Sequence, residues 1–202
     1  MTVRVFAEGG GNQDRTRTAF KKALVQFFRK ALGKGPQPRV EPCGSRDEAC
    51  DDFCRSLENE PHTCAILLVD SEDPVAEGTA PWAHLQRRDG WRSPVQVPPD
   101  QVHLMVQCME TWFLADRQTL IDFYGREFKP DALPGYPNPE HAPKRDVMDG
   151  LVRATRMTDK GEYHKTRHGF PILERLDPAA VRARCPHAEA LLSTLAARLS
   201  VS

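Results

Sequence analysis

Apolar and polar positions follow two rhythms along this chain. Val3, Val5, Phe6 and Ala7 alternate and then merge, which predicts a short strand ending at Glu8 and the run Gly9, Gly10 and Gly11. From Thr16 to Leu32 the rhythm changes: Ala19, Phe20, Ala23, Leu24, Phe27, Phe28, Ala31 and Leu32 recur at helical spacing, with Lys and Arg opposite. Asn12, Asp14 or Thr16 can cap this helix, and Gly33 and Gly35 end it. "PRVEPCG" reads as a second short strand. "SRDEACDDFCRSLENE" follows as an acidic helix, with Ser45 at its N-cap and Glu48 three residues on, a capping-box signature.

"TCAILLVDSEDP" is a near-continuous apolar run, which suits a parallel strand covered on both faces. Residues 74–100, rich in Pro, Gly, Trp and charge, read as a long excursion. "QVHLMVQC" is a fourth strand, and "METWFLADRQTLIDFYG" continues as one amphipathic helix. This order predicts an α/β core over residues 1–125, a mostly parallel, Rossmann-like four-stranded sheet flanked by helices. Pro130, Pro134, Pro137, Pro139 and Pro143 mark a connection. Helices over 146–158 and 178–199 then make residues 126–202 a helical C-terminal extension packed on the core. "KGEYHKTRHGF" lies between those helices.

Composition narrows the class without deciding it. With 202 residues, 40% hydrophobic and 28% charged, the chain has the make-up of a globular protein, not of a disordered one. No apolar run approaches the roughly 20 residues that span a bilayer, and no charged segment with a hydrophobic core opens the chain. A cytoplasmic protein without membrane partners is expected. Cys43, Cys50, Cys54, Cys64, Cys108 and Cys185 then read as reduced, buried thiols. Cys50 and Cys54, with His62 and Cys64 beyond, match zinc spacing only loosely.

Formal net charge is zero, so no global basic field draws nucleic acid. Its distribution is uneven: residues 1–34 carry eight Lys or Arg against Glu8 and Asp14, and residues 44–77 carry ten acids against Arg46 and Arg55. These are either phosphate contacts beside metal ligands or two solvated helix faces of opposite sign.

Three acids fall at equivalent places: Glu8 ends the first predicted strand, Asp70 the third, and Glu110 the fourth. In a parallel sheet those ends share one edge, where open α/β folds bind ligands. Converged carboxylates raise one another's pKa unless a cation neutralises them, and an oxygen-only set favours a hard ion such as Mg²⁺. Glu110 has a second reading, as an acid complementing a helix N-terminus. Gly9–Gly11 either admit a phosphate to backbone N–H groups or make a tight turn; they match neither common nucleotide loop. Lys160, His164, Lys165, Arg167 and His168 could clamp phosphates, with Lys144 joining them and Tyr163 or Phe170 stacking a base. A plain basic surface loop is the alternative. Trp82, Trp91 and Trp112 read as core or loop anchors.

A strand ending in Glu-Gly, followed by a strand ending in Asp-x-Glu, resembles the Toprim fold shared by topoisomerases, DnaG-type primases and overcoming-lysogenization-defect nucleases. "VRVFAEGGG", "LLVDSEDPV", "HLMVQCMETWFLAD" and "YHKTRHGFPILERLDP" together resemble a Toprim-like family, domain of unknown function 4276, over nearly the whole chain. The resemblance implies Mg²⁺- or Mn²⁺-dependent phosphodiester chemistry on DNA or RNA. It also implies a prokaryotic anti-phage defence setting with a partner ATPase. Glu8, Asp70 and Glu72 would be catalytic, and Glu8, Asp70, Glu72, Asp73 and Glu110 would supply metal ligands. Gly9, Gly10, Gly11, Lys144, His164, Lys165, Arg167 and His168 would meet phosphate or nucleic acid. The second ligand of the Asp-x-Glu pair is either Glu72 or Asp73. No topoisomerase tyrosine or primase zinc module is identifiable. A small-nucleotide phosphohydrolase, or a silent module that binds an ATPase, remains as an alternative.

Overall fold

The computed structural model describes residues 2–200. Strands β1 (Thr2–Gly10), β2 (Arg39–Gly44), β3 (Thr63–Asp70) and β4 (Val102–Met105) form one sheet of order β2-β1-β3-β4, with every pair parallel. Helices α1 (Asp14–Leu32) and α2 (Arg46–Asn59) link the first three strands. Alternation along the strands assigns the faces. Val3, Val5, Ala7, Cys64, Ile66 and Leu68 pack in one cluster with α1, while Phe6, Ala65, Leu67 and Val69 pack in another with α2. Both faces of β3 are thus covered, which is why its sequence is apolar without a break.

The excursion after β3 contains a helix that the periodicity did not reveal, α3 (Pro81–Asp89). Pro81 starts it, Gly90 ends it at φ 71°, and only His84 and Leu85 are buried on it. With Leu85 the one apolar residue among them, they are too few to make a helical stripe. The fourth strand is shorter than its apolar run: pairing continues past it through single bonds, Ser71 N–H to the Met105 carbonyl (3.0 Å) and Glu72 N–H to the Gln107 carbonyl (2.9 Å).

The single helix expected after that strand is two, α4 (Thr111–Ala115) and α5 (Arg117–Tyr124). Asp116 separates them: its carboxylate caps Thr119 N–H at 3.1 Å and accepts the Asp177 N–H at 2.8 Å from a distant segment. Next come α6 (Lys144–Thr155), a π-helical turn over Lys165–Gly169, α7 (Phe170–Arg175), α8 (Pro178–Arg184) and α9 (Pro186–Ser200). The last two divide at Pro186, which has no N–H to continue the ladder. Leu151, Leu173, Val181, Leu191 and Leu195 from this C-terminal region share the α1-face cluster with Val3 and Val5. The C-terminal helices therefore form part of the layer covering that face. All six cysteines are free and buried, and His62 is exposed.

The order β2-β1-β3-β4 puts a topological switch between β1 and β3. The chain leaves β1 for α1 on one face, and reaches β3 from α2 on the other. A crevice opens at the carboxyl ends of those two strands.

Candidate metal centre

Glu8 lies where β1 and β2 lose register, between the Ala7 and Gly10 pairings. A bulge re-aims side chains at a strand end, and here Glu8 turns toward β3. Its Oε2 accepts the backbone N–H of Asp70 at 3.1 Å. Asp70 closes β3 and is 3% exposed, and its Oδ1 accepts the Met109 N–H at 2.9 Å. Two residues on, Glu72 sits at φ 65°, a left-handed conformation that costs a non-glycine residue about 1–2 kcal/mol. One oxygen each from Glu8, Asp70 and Glu72 lies within 4.8 Å of the others.

Each carboxylate has its own cation. Arg46 Nη1 is 3.4 Å from Glu8 Oε2 and donates to the Asp70 carbonyl at 3.0 Å, while its Nη2 reaches Asp89 at 2.8 Å. Lys144 Nζ meets both oxygens of Glu72 at 2.6 Å. Lys165 Nζ stands 3.6 Å from Asp70 Oδ2. Burial pushes the Asp70 carboxyl up to about 7; Lys165 opposes the shift, and Glu8 and Glu110 reinforce it. Burial also raises Glu8, against the pull of Arg46 and the Asp70 N–H. Partial burial works against the charge of Lys165, yet Glu110 and Asp70 outweigh it and raise its pKa.

The donor set fits a divalent ion. Three carboxylates converge, none is bonded to a histidine or thiol, and a lysine ammonium already occupies the charge-compensating position at Glu72. Oxygen-only donors select hard cations over zinc or copper.

The other expected residues divide. Asp73 points away from the cluster, with Arg88 Nε at 3.0 Å from its carboxylate. Glu110 lies at the start of α4, five residues beyond the end of β4, and is fully buried. Tyr163 donates its hydroxyl to Glu110 Oε1 at 2.9 Å, and Oε2 has no hydrogen-bond partner among the described residues. That bond places Tyr163 in the interior, not on a base-stacking surface. His168 is buried as well: its Nδ1 accepts the His164 N–H at 3.1 Å, and its ring meets Tyr124 edge-on. His164 accepts the Arg167 N–H within the same turn, so the two histidines shape the turn that carries Lys165. Arg167 is exposed.

Gly9, Gly10 and Gly11 all line the cleft that adjoins the carboxylates, and the first two are also set by packing. A Cβ on Gly9 would lie 2.7 Å from the Phe20 ring, and one on Gly10 would lie 2.7 Å from the Arg17 Cα. The bulge therefore closes directly onto α1, and the Thr16 hydroxyl donates to the Gly10 carbonyl. Trp112 is fully buried and stacked on Phe27 at 5.2 Å; Trp91 holds Asp47 through Nε1 at 2.9 Å and lies under the Arg46 guanidinium.

Arg46 is the site residue that sequence reasoning missed as an individual. One signal existed: the Ser45–Glu48 capping box puts Arg46 at the first turn of α2, directly after a strand, on the sheet edge where Glu8 and Asp70 end. Beside the cluster, a cleft of about 280 Å³ is lined by Glu8, Asp70, Lys165 and Thr166, with apolar walls from Phe20, Met105, Met109 and Phe170.

Residues 7–196 match the family described as Domain of unknown function (DUF4276), and the chain belongs to that family. No curated protein matches, and no solved structure matches. No helix among the described residues is long and apolar enough to cross a membrane.

Proposed function

We propose that this DUF4276 chain is a Toprim-like, Mg²⁺- or Mn²⁺-dependent phosphodiester hydrolase. In this reading it is a cytoplasmic nuclease that acts as the effector of an anti-phage defence pair with a partner ATPase. The observation that carries the reading is the convergence of Glu8, Asp70 and Glu72 within 4.8 Å at the β1/β3 switch point, ringed by Arg46, Lys144 and Lys165. Carboxylates alone would suit a cation store, and lysines alone an anion site. Interleaved, they suit a phosphoryl group approached by a divalent ion.

Glu8, Asp70 and Glu72 would hold the ion, which when bound supplies Lewis-acid polarisation of a phosphoryl oxygen. Lys144 and Lys165 can then pair with phosphate oxygens in place of the carboxylates, and Arg46 keeps Glu8 oriented. Glu8 would serve either as the third ligand or, with its carboxyl raised by burial, as the proton acceptor for the attacking water. The zero net charge supports dependence on a partner for affinity to long nucleic acid. A small-nucleotide phosphohydrolase is the second reading, favoured by the adjoining cleft of about 280 Å³.

The test is degradation of single- and double-stranded DNA and RNA in Mg²⁺ or Mn²⁺, with and without the partner ATPase, alongside free nucleotides. Polymer cleavage lost in both Glu8→Ala and Asp70→Ala supports a nuclease. Turnover of nucleotides alone supports the second reading. Cleavage that survives both substitutions, or no turnover of any substrate while the ATPase still binds, overturns the proposal.

A further inference from the structure

The carboxylate cluster has two unlike flanks. On one side stand Arg46, Glu72 and Lys144, a wholly charged surface. On the other, the cleft beside Glu8 and Asp70 is walled by Phe20, Phe170, Met105 and Met109, with Gly9–Gly11, Lys165 and Thr166 completing its lining. Phosphate chemistry alone gives no reason for this second flank. An apolar slot beside a cation-lined acidic cluster suits a ligand with an anionic part and a flat apolar part held a few ångströms apart. A nucleotide has that form.

Resting on the phosphodiesterase reading, we propose that this cleft seats one unpaired nucleobase next to the scissile phosphate, so that the site selects unpaired nucleotides over duplex. Size supports the choice. At about 280 Å³ the cleft falls just below the usual span of ligand pockets, about 300 to 1,000 Å³, a size for a single base. A base pair does not enter it, so the target nucleotide must come from a single strand, a loop or a flipped position. The walls are side chains of α1, α7 and the segments beside the sheet edge, all packed in the core, so the slot is preformed. Aromatic and thioether surfaces accept any base face, and the polar side chains of the lining are the cluster's own Glu8, Asp70 and Lys165, with Thr166, whose hydroxyl lies 3.2 Å from His164 Nδ1. The slot therefore reads the presence of a base more than its identity.

Thr166 is exposed and is not one of the three clustered carboxylates, so Thr166→Trp obstructs the mouth, and Ca²⁺ affinity reports whether the loss of its hydroxyl's contact with His164 (3.2 Å) reaches the ligands. The probes are thymidine 5′-monophosphate and deoxyribose 5′-phosphate, titrated calorimetrically in EDTA and in Ca²⁺, with Ca²⁺ binding measured separately. The base-bearing probe is expected to bind at least tenfold more tightly than the base-free one, the scale of a single stacked base. Thr166→Trp should erase that ratio, Thr166→Ser should retain it, and Ca²⁺ affinity should stay within twofold in both. Equal binding of the two probes by the native protein, or a ratio unchanged in Thr166→Trp, overturns the base slot. Absence of Ca²⁺ binding with the base ratio intact instead strikes the metal-dependent reading and leaves the slot standing.

Discussion

Asp70→Asn isolates the cost of keeping a carboxylate under the sheet edge. Asp70 is 3% exposed, and burial holds its proton up to about pH 7, whereas an unperturbed aspartate releases it near 3.8. Between those values the folded protein binds more protons than the unfolded chain, so stability must fall as pH rises. A difference of about three units corresponds to about 4 kcal/mol, accumulated from about pH 4 and complete once pH passes about 7. Asparagine keeps the Oδ1 that accepts the Met109 N–H, and it carries no ionisation. The assay is urea unfolding of native and Asp70→Asn protein from pH 4.5 to 8 in EDTA. The stability gap in favour of Asn should widen with pH by several kcal/mol. Saturating Mg²⁺ at pH 8 should close much of it, because an ion bound only by the folded native protein stabilises it by mass action. Parallel pH profiles for the two proteins would refute the reasoning, since they would mean that Asp70 ionises as freely when folded as when unfolded.

Other expectations follow from single contacts. Glu72→Gly should be about 1 kcal/mol more stable than Glu72→Ala, because only glycine adopts φ 65° without strain, while both weaken metal binding; equal urea midpoints would contradict this. Gly10→Ala should cost about 2 kcal/mol or more, since its Cβ meets the Arg17 backbone at 2.7 Å with φ at 84°, and a loss under 0.5 kcal/mol in thermal or urea unfolding would rule out the close packing. Arg46→Met should destabilise the fold by about 2 kcal/mol, leaving Glu8 without its guanidinium and Asp89 with Arg88 alone. It should also move the Glu8 titration upward in carboxyl NMR, and an unmoved titration would remove Arg46 from the site.

Much of this architecture is written locally. The alternation of Val3, Val5 and Ala7, the helical stripe from Ala19 to Leu32 and the unbroken apolar run of β3 each follow from one period and one burial pattern. They suffice for a parallel α/β sheet whose strand ends bear Glu8 and Asp70. Element ends were less legible. The break at Asp116 depends on the Asp177 N–H, 61 residues away, and α3 hides because two buried residues leave no period to read.

The site divides in the same way. Glu8 and Asp70 were legible because strand ends in a parallel sheet share an edge whatever the rest of the chain does. Glu72 was legible only through the Asp-x-Glu resemblance, and Glu110, read by the same strand-end argument, is not one of the three clustered carboxylates. Which cation faces which carboxylate was decided only by the packing of α2, α6 and the π-helical turn against that edge. Lys144 arrives 72 residues after Glu72, and Lys165 95 residues after Asp70, so no local spacing encodes either pair. Tyr163 and His168 show the converse: their sequence neighbourhood is basic and looks like surface, yet Tyr163 is drawn inward by Glu110 and His168 by the backbone of its own turn. Periodicity is a property of neighbours along the chain, whereas burial and charge pairing are properties of what the fold brings against them.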